Sequence, residues 1–125
     1  DILIVNGRKL AAAELEWLAA DAHEALNPLA AAAFQLDASG SSEAVLLIEL
    51  RSGHARPECI ETVCRSIGLR ALGEWGVRLV DIRVLERGSL QRTTSGKIRR
   101  QAIAAAYRQG SAPAGLEPKA AATAT

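Results

Sequence analysis

One stretch of the sequence, residues 90–100, concentrates the side chains that could do chemistry. It contains a single lysine, Lys97, directly after the hydroxyl-rich turn Thr-Thr-Ser-Gly and before a predicted helix. Residues 87–108 include six basic residues and no acidic one. Cations in the first turn of a helix are unfavourable by roughly 0.3–1 kcal/mol each, because the helix N-terminus carries partial positive charge. We therefore expect a phosphate or carboxylate to bind here, held by Ser95, Lys97 and free backbone N–H groups.

The composition limits both the fold and the partners. The chain has 125 residues, of which 49% are hydrophobic, and this favours a single domain with a modest core. A net charge of +1, with two tryptophans, one tyrosine and one phenylalanine, argues against a nucleic-acid-binding surface. No apolar run approaches the roughly 20 residues of a membrane span, and no signal peptide opens the chain, so we expect a cytoplasmic protein.

The cysteines and histidines do not form a metal site or a disulfide by pattern. Cys59 and Cys64 fall five positions apart in one predicted helix, which separates their Cα atoms beyond disulfide range. The two histidines, His23 and His54, are not at metal-ligand spacing from either cysteine. We expect reduced thiols and no metal site.

The elements that must position the basic stretch follow from hydrophobic periodicity and turn residues. Asn-Gly at 6–7 predicts a hairpin between strands at 2–5 and 8–10. Further strands are predicted at 31–36, 44–50 and 78–86, with a polar hairpin loop at 37–42 between the first two. Helices are predicted from residue 12 to the Asn-Pro pair at 27–28, from Pro57 to near Gly73 or Gly76, and over 98–107.

Together these elements predict an α+β fold. It has a small, mostly antiparallel three-stranded sheet with an N-terminal β-hairpin, covered by about three helices. Residues 109–125 are rich in Ala, Pro, Gly and Thr, which is typical of a disordered tail or linker. The folded domain is therefore expected to span residues 1–108.

Two motifs, one at each end of the domain, resemble motifs of one protein family. Residues 93–100, Thr-Thr-Ser-Gly-Lys-Ile-Arg-Arg, are similar to the last core motif of the AMP-forming acyl ligases, the adenylate-forming superfamily that includes acyl-CoA synthetases, luciferases and peptide-synthetase adenylation domains. Residues 1–8, followed by Ala-Glu-Leu-Glu at 13–16, resemble the motif after the hinge between that family's two subdomains. The run Leu-Ile-Val-Asn-Gly-Arg is similar to the fatty acyl-AMP ligase branch.

The resemblance implies a catalytic role for the last motif. It identifies Lys97 as the lysine that enters the site during adenylation, where an ammonium can offset the charge that develops as a carboxylate attacks a phosphate. The neighbouring residues would lie close to ATP or to the adenylate: Thr94, Ser95 and Gly96. Contact with phosphate or with an acidic carrier protein is expected for Arg92, Arg99 and Arg100, and a solvated face is an equal alternative for the last two.

The first motif is implied to act in the second half-reaction. The resemblance places Gly7 at the tunnel for the pantetheine arm, because a side chain there would narrow the passage. Val5 and Arg8 would border the same tunnel. A plain hairpin turn at Gly7 is compatible with this role.

The resemblance implies that the chain is the mobile C-terminal subdomain of a fatty acyl-AMP ligase, which activates a fatty acid with ATP and passes the acyl group to the phosphopantetheine of an acyl carrier protein in lipid or polyketide assembly. ATP brings Mg²⁺ to such enzymes, but no ligand set for it is evident, so we expect neither to bind this piece alone. The chain has no methionine, even at position 1, so we expect an excised piece of a longer protein. The resemblance implies that this piece does not adenylate without the family's N-terminal subdomain. Two alternatives stay open: an acyl-CoA synthetase subdomain, and a noncatalytic basic module that docks an acidic protein or RNA.

Overall fold

The structure is a computed structural model that describes residues 2–36, 43–51 and 57–116. Within these ranges the elements are, in chain order, β1 (Ile2–Val5), β2 (Arg8–Ala11), α1 (Ala12–Asp21), β3 (Leu26–Phe34), β4 (Glu43–Leu50), α2 (Pro57–Trp75), β5 (Arg78–Leu85) and α3 (Arg100–Arg108). The hairpin β1–β2 and a three-stranded sheet in the order β3-β4-β5 confirm the predicted α+β class. The polar loop predicted at 37–42 lies outside the described residues.

One pairing in the sheet differs from the mostly antiparallel arrangement that we expected. Strands β3 and β4 are antiparallel, but β4 and β5 are parallel. The physical reason is the connection, since parallel neighbours need a long crossover. Helix α2, with 19 residues, lies between β4 and β5 in the chain and packs against β5, so it supplies that crossover.

Strand β4 is buried on both faces because helices lie on both sides of the sheet. Its alternate residues Ala44, Leu46, Ile48 and Leu50 join a core formed with α1 and α2. Val45 and Leu47 point the other way, into a smaller core with Ile103 and Ala104 of α3. The middle of the sheet is therefore packed on both faces, and two apolar cores hold β4 in place.

Helix α1 ends earlier than the hydrophobic spacing predicts. It stops at Asp21, and the Ala25 amide donates a 3.0 Å hydrogen bond to Nδ1 of His23 in place of a further helical turn. Leu26 keeps the helical spacing, yet it pairs with Leu50 as the first residue of β3. Strand β3 therefore begins five residues before the predicted Ala31, with a register irregularity between the two. The predicted helix was too long because spacing alone does not reveal the strand partner.

The segment after α3, predicted as part of a disordered tail, packs along the edge strand β5 as far as residue 116. Gly110 has φ +76° and follows the helix end, as is typical of a glycine C-terminal to a helix. The Leu116 amide donates a 2.8 Å hydrogen bond to the carbonyl of Val84. A Cβ at Gly115 would lie 3.1 Å from Cα of Arg83, so the segment lies directly on the strand and covers part of its edge.

Burial of β4 sets an expectation for stability. Leu46 is fully buried, so Leu46→Ala is expected to lower the free energy of unfolding by about 2–5 kcal/mol through lost contacts and a cavity. Leu69→Ala is the matched control, because that side chain on α2 is 65% exposed, and its effect should stay within about 0.5 kcal/mol. Urea denaturation measures both variants. Equal losses would contradict this assignment of the core.

Candidate functional site

Lys97 lies on a short loop between β5 and α3. The base of the loop is closed by an isolated antiparallel bridge between Arg92 and Ile98. The Arg99 amide also donates a 3.0 Å hydrogen bond to the carbonyl of Gln91. We call residues 91–99 the lysine loop.

Hydrogen bonds inside the lysine loop fix the backbone at Lys97. Its carbonyl accepts from the Thr93 amide at 2.7 Å, and its amide donates to Thr93 Oγ1 at 3.1 Å. Thr93 Oγ1 also lies 3.0 Å from Ser95 Oγ. Gly96 has φ +88°, a conformation in which a side chain would be strained. The structure thus brings the predicted group together, and the tip residues Thr94, Ser95 and Gly96 are exposed.

Hydrogen bonds hold the backbone of Lys97, but its side chain is exposed. Among the described residues, its ammonium has no ion-pair partner. It is therefore available to an anion from outside the chain. Helix α3 begins at Arg100, two residues after the predicted start at residue 98, so Lys97 lies three residues before the helix.

A buried carboxylate supports the lysine loop from below. Glu49, near the end of β4, is 0% exposed. Its oxygens accept hydrogen bonds from the amides of Gly88 and Leu90, at 2.9 and 2.8 Å, and from Nη2 of Arg92 at 3.0 Å. Burying a carboxylate is costly unless donors satisfy it, and here three N–H groups do so.

Helix α1 contributes a second buried carboxylate, Glu16. It accepts two 2.8 Å hydrogen bonds from Nε and Nη2 of Arg100, and a third, also 2.8 Å, from the Ala33 amide. The hydrogen bond to Glu16 raises the pKa of Arg100 despite partial burial. Arg100 is the first residue of α3, so the anion that compensates a cation at this helix start is a carboxylate of the chain itself.

The three arginines predicted to contact phosphate or a carrier protein are therefore placed differently. Arg92 and Arg100 turn inward to Glu49 and Glu16, whereas Arg99 is exposed. The sequence patterns do not predict the roles of the two glutamates. The only signal in the sequence is the position of Glu49 within the apolar run of β4. A carboxylate in a central strand is buried and therefore needs hydrogen-bond donors.

The second predicted group, around Gly7, forms the turn of the N-terminal hairpin. Asn6 and Gly7 have φ of 51° and 77°, as a two-residue hairpin turn of the type favoured by Asn-Gly requires. The side chain of Gln35 attaches the hairpin to the end of β3. Its Oε1 accepts a 2.8 Å hydrogen bond from the Ile4 backbone N–H, and its Nε2 donates a 2.6 Å hydrogen bond to the Ile4 carbonyl. A Cβ at Gly7 would meet nothing within 4 Å, so the turn faces open space.

The neighbours of Gly7 line a small cleft of about 140 Å³ on the hairpin. Arg8 is exposed beside it, and Val5 reaches it from the core, where its side chain is buried. Trp75, at the end of α2, lies on the opposite wall. The structure therefore places Val5 and Arg8 at this cleft, while Gly7 lies between them in the chain and faces open space.

The hairpin turn and the lysine loop lie at opposite ends of the sheet. Asn6 contacts Gly76, where an added Cβ would lie 3.1 Å from the Asn6 side chain, and Gly76 shortly precedes the first residue of β5. That end of β5 pairs with Glu43, the first residue of β4, whereas Glu49 and the lysine loop are at the far end of β4. A strand of this length spans on the order of 25 Å.

The described residues contain no group of three or more His, Cys, Asp or Glu that could hold a metal ion. Near Lys97, the oxygens of Glu16 and Glu49 already accept hydrogen bonds from cationic and amide donors, so they do not fit Mg²⁺ as ligands. Cys59 and Cys64 are free thiols. Burial raises the pKa of Cys64, and the charge of Asp81 raises it further, so this thiol stays protonated at neutral pH. In the parts of the chain that the structure describes, no helix is long and apolar enough to cross a membrane.

Comparison with known proteins adds an independent line of support for the resemblance. No protein-family model matches the chain. A protein of Caulobacter vibrioides named as an acyl-CoA synthetase is 32% identical over 112 residues, or 88% of this chain. A long-chain-fatty-acid–AMP ligase of Mycolicibacterium smegmatis is 28% identical over 92% of the chain, and a medium-chain-fatty-acid–acyl-carrier-protein ligase of Moorena producens is 23% identical over 88%. The chain spans only 19%, 21% and 19% of these relatives' lengths, respectively.

Solved structures share the fold over the same extent. A structure from studies of fatty acyl-adenylate ligases from E. coli and L. pneumophila superposes with a TM-score of 0.73 at 25% identity, and covers 88% of this chain and 19% of that one. The McyG A-PCP structure with phenylalanyl-adenylate gives a TM-score of 0.74 at 24% identity, over 87% of this chain and 17% of that one, and bears on the fold alone. Sequence and fold together identify the chain as a homologue of the adenylate-forming acyl ligases. Fatty acyl-AMP ligases are among its relatives.

The bidentate pair of Glu16 and Arg100 makes a testable contribution to stability. Glu16→Gln is expected to lower the free energy of unfolding by about 2–4 kcal/mol, because it leaves a partly buried guanidinium without its carboxylate. Glu14→Gln in the same helix removes an exposed charge and should change it by less than about 0.5 kcal/mol. Thermal or urea denaturation of both variants gives the comparison, and a tolerated Glu16→Gln would show that the pair does not hold α3.

Proposed function

We propose that this chain is the C-terminal mobile subdomain of a fatty acyl-AMP ligase that transfers its acyl group to a carrier protein. The observation that carries the proposal is the presentation of Lys97, an ammonium without an ion-pair partner in the described chain, on a loop whose backbone is fixed. The motif match, the homologues and their fivefold greater length support it. The remaining parts of the ligase would supply the nucleotide pocket and the acyl channel.

In the first half-reaction, a carboxylate oxygen attacks the α-phosphorus of ATP, forms the acyl–phosphate bond and releases pyrophosphate. This step brings two anions together, and Lys97 can donate hydrogen bonds to both and offset the charge that develops. The exposed tip residues Thr94, Ser95 and Gly96 would lie beside the nucleotide. In the described part of the chain, Glu16 and Glu49 already accept hydrogen bonds and do not fit Mg²⁺ as ligands, so we assign no metal ion to the residues around Lys97.

In the second half-reaction, a thiol attacks the acyl carbonyl, and AMP leaves with the electron pair of the broken bond. We assign this step to the face around Gly7. Because Gly7 and Lys97 lie at opposite ends of the sheet, one orientation of the subdomain cannot present both to the same adenylate. A rotation of the subdomain between the half-reactions follows from this separation.

The acceptor of the acyl group is proposed from the relatives. The Moorena producens relative is a ligase of acyl carrier protein, and the Mycolicibacterium smegmatis relative is a fatty acid–AMP ligase, which favours a carrier protein. The Caulobacter vibrioides relative, at 32% identity, is named as an acyl-CoA synthetase, and this makes coenzyme A the second candidate. Transfer assays with both acceptors would decide between them, and rapid acyl-CoA formation would reject the carrier protein as the preferred one.

A noncatalytic docking patch is a weaker explanation of the basic segment. Arg92, Arg100 and Arg108 each donate to oxygens of the chain itself. Carboxylates of the chain neutralise Arg92 and Arg100, and backbone carbonyls of Gln35 and Leu36 hold Arg108, so the segment offers a partner fewer available cations than its sequence suggests.

The role of Lys97 is tested in the full-length ligase that we propose contains this chain. Lys97→Ala is expected to slow fatty acid-dependent ATP–pyrophosphate exchange by about 100-fold or more, because it removes the charge that offsets the transition state. Stability should not change, since the ammonium has no ion-pair partner among the described residues. Arg65→Ala, which removes an exposed cation on α2, is the control and should keep normal exchange. Exchange that survives Lys97→Ala would refute the assignment.

The role of Gly7 is tested by separating the two half-reactions. Gly7→Ala is expected to slow acyl transfer to the carrier protein by about tenfold or more, through a narrowed and displaced passage, while ATP–pyrophosphate exchange stays near normal. Gly110→Ala is a matched control, because both glycines have φ near +77° and open space around them. Gly110 follows α3 and is not part of the hairpin. Equal effects of the two substitutions on transfer would indicate backbone strain alone and contradict the tunnel role.

A further inference from the structure

The position of Lys97 depends on a charge that does not itself reach the reacting atoms. Glu49 is 0% exposed and lies on the central strand of the sheet, beneath the segment that carries the lysine. Its donors Gly88, Leu90 and Arg92 lie 39, 41 and 43 residues further along the chain, so the contact is entirely tertiary. Gly88 and Leu90 belong to the segment that leads into the lysine loop, and Arg92 belongs to the loop itself.

We propose that Glu49 is a positioning residue for Lys97 in adenylation. It acts through the backbone of the lysine loop and through Arg92, without touching the substrate. This inference rests on the proposed function of Lys97, and it adds a residue on a different element, 48 positions away in the sequence.

A continuous set of contacts links Glu49 to the lysine. The carboxylate holds Nη2 of Arg92 at 3.0 Å, and Arg92 pairs with Ile98 in the bridge at the base of the loop. Ile98 directly follows Lys97, whose own carbonyl is held by the Thr93 amide at 2.7 Å. Glu49 thus holds one end of the loop through Arg92, and the bridge between Arg92 and Ile98 holds the other. Strand β4, which carries Glu49, is buried on both faces and cannot shift without disturbing both cores.

The arrangement requires a carboxylate and not simply a polar side chain. Three N–H donors converge on the two oxygens of Glu49. A glutamine offers only one oxygen, and its own NH₂ would face at least one of the donors, so part of the set would break. The loop would then be closed only by its own few hydrogen bonds, and residues 91–97 are all exposed to competing water. Displacement of a reacting group by about 1 Å can cost about 100-fold in rate.

The test compares Glu49→Gln with the matched control Glu58→Gln in the full-length ligase, because Glu58 is an exposed acid on α2, outside both motifs. In Glu49→Gln, kcat for adenylation is expected to fall by about 10- to 100-fold, with the KM for ATP changed by less than about threefold. Transfer from supplied acyl adenylate to the carrier protein should stay within about twofold, since that half-reaction uses the Gly7 end of the sheet. The control should be normal in both assays.

Two results would overturn the positioning role. Normal adenylation in Glu49→Gln would show that Lys97 needs no such support. Equal loss of both half-reactions would show a general folding defect in place of a local one. The same assays separate this proposal from the proposed function. If Lys97→Ala keeps ATP–pyrophosphate exchange, the proposed function is refuted. If Lys97→Ala loses that exchange and Glu49→Gln keeps it, only the role of Glu49 is refuted.

A second variant keeps the test decisive if Glu49→Gln does not fold. Arg92→Gln alters the more exposed partner, whose side chain is 32% exposed, and leaves Glu49 its two amide donors. It is expected to lower adenylation selectively by about 3- to 10-fold. In the double variant, where it can be made, the loss should not exceed that of Glu49→Gln, because both changes break one path. Unchanged adenylation in Arg92→Gln, or additive losses in the double variant, would refute the path from Glu49 through Arg92.

Discussion

A carboxylate inside the central strand of a sheet is the constraint from which the candidate site follows. Glu49 cannot be buried without donors, and β4 has apolar cores on both faces that offer none. The chain after β5 supplies them with two amides and a guanidinium. The need to neutralise one buried charge therefore brings a distant segment across the end of the sheet and fixes where Lys97 is presented.

The start of α3 shows the same principle with opposite sign. A cation at a helix N-terminus needs an anion, and the basic sequence alone suggests one from solution. The structure supplies Glu16 of α1 instead, in a bidentate pair with Arg100. Internal carboxylates engage Arg92 and Arg100, whereas the Lys97 ammonium has no ion-pair partner within the described ranges. A held loop backbone with an exposed ammonium is suited to binding an anion that enters from outside the chain.

Features that depend on local pattern could be predicted from the sequence. The Asn-Gly turn, the apolar run of β4 and the loop around Lys97 all lie where short-range rules place them. Features set by distant partners could not. Leu26 continues a helical spacing but pairs with Leu50, and the parallel direction of β5 depends on how α2 packs. The two glutamates could be flagged as charges in apolar surroundings, but their donors lie 39 or more residues away for Glu49 and 84 for the Glu16–Arg100 pair.

Amide hydrogen exchange of the unmodified protein measures whether the buried carboxylate of Glu49 holds the segment that carries Lys97. The amides of Gly88 and Leu90 lie in a connecting segment, where exchange is ordinarily fast, but they donate to Glu49. If Glu49 holds this segment, both amides exchange nearly as slowly as the amides of β4, and far more slowly than the amide of the exposed Thr94. Exchange at Gly88 and Leu90 as fast as at Thr94 would contradict this role of Glu49.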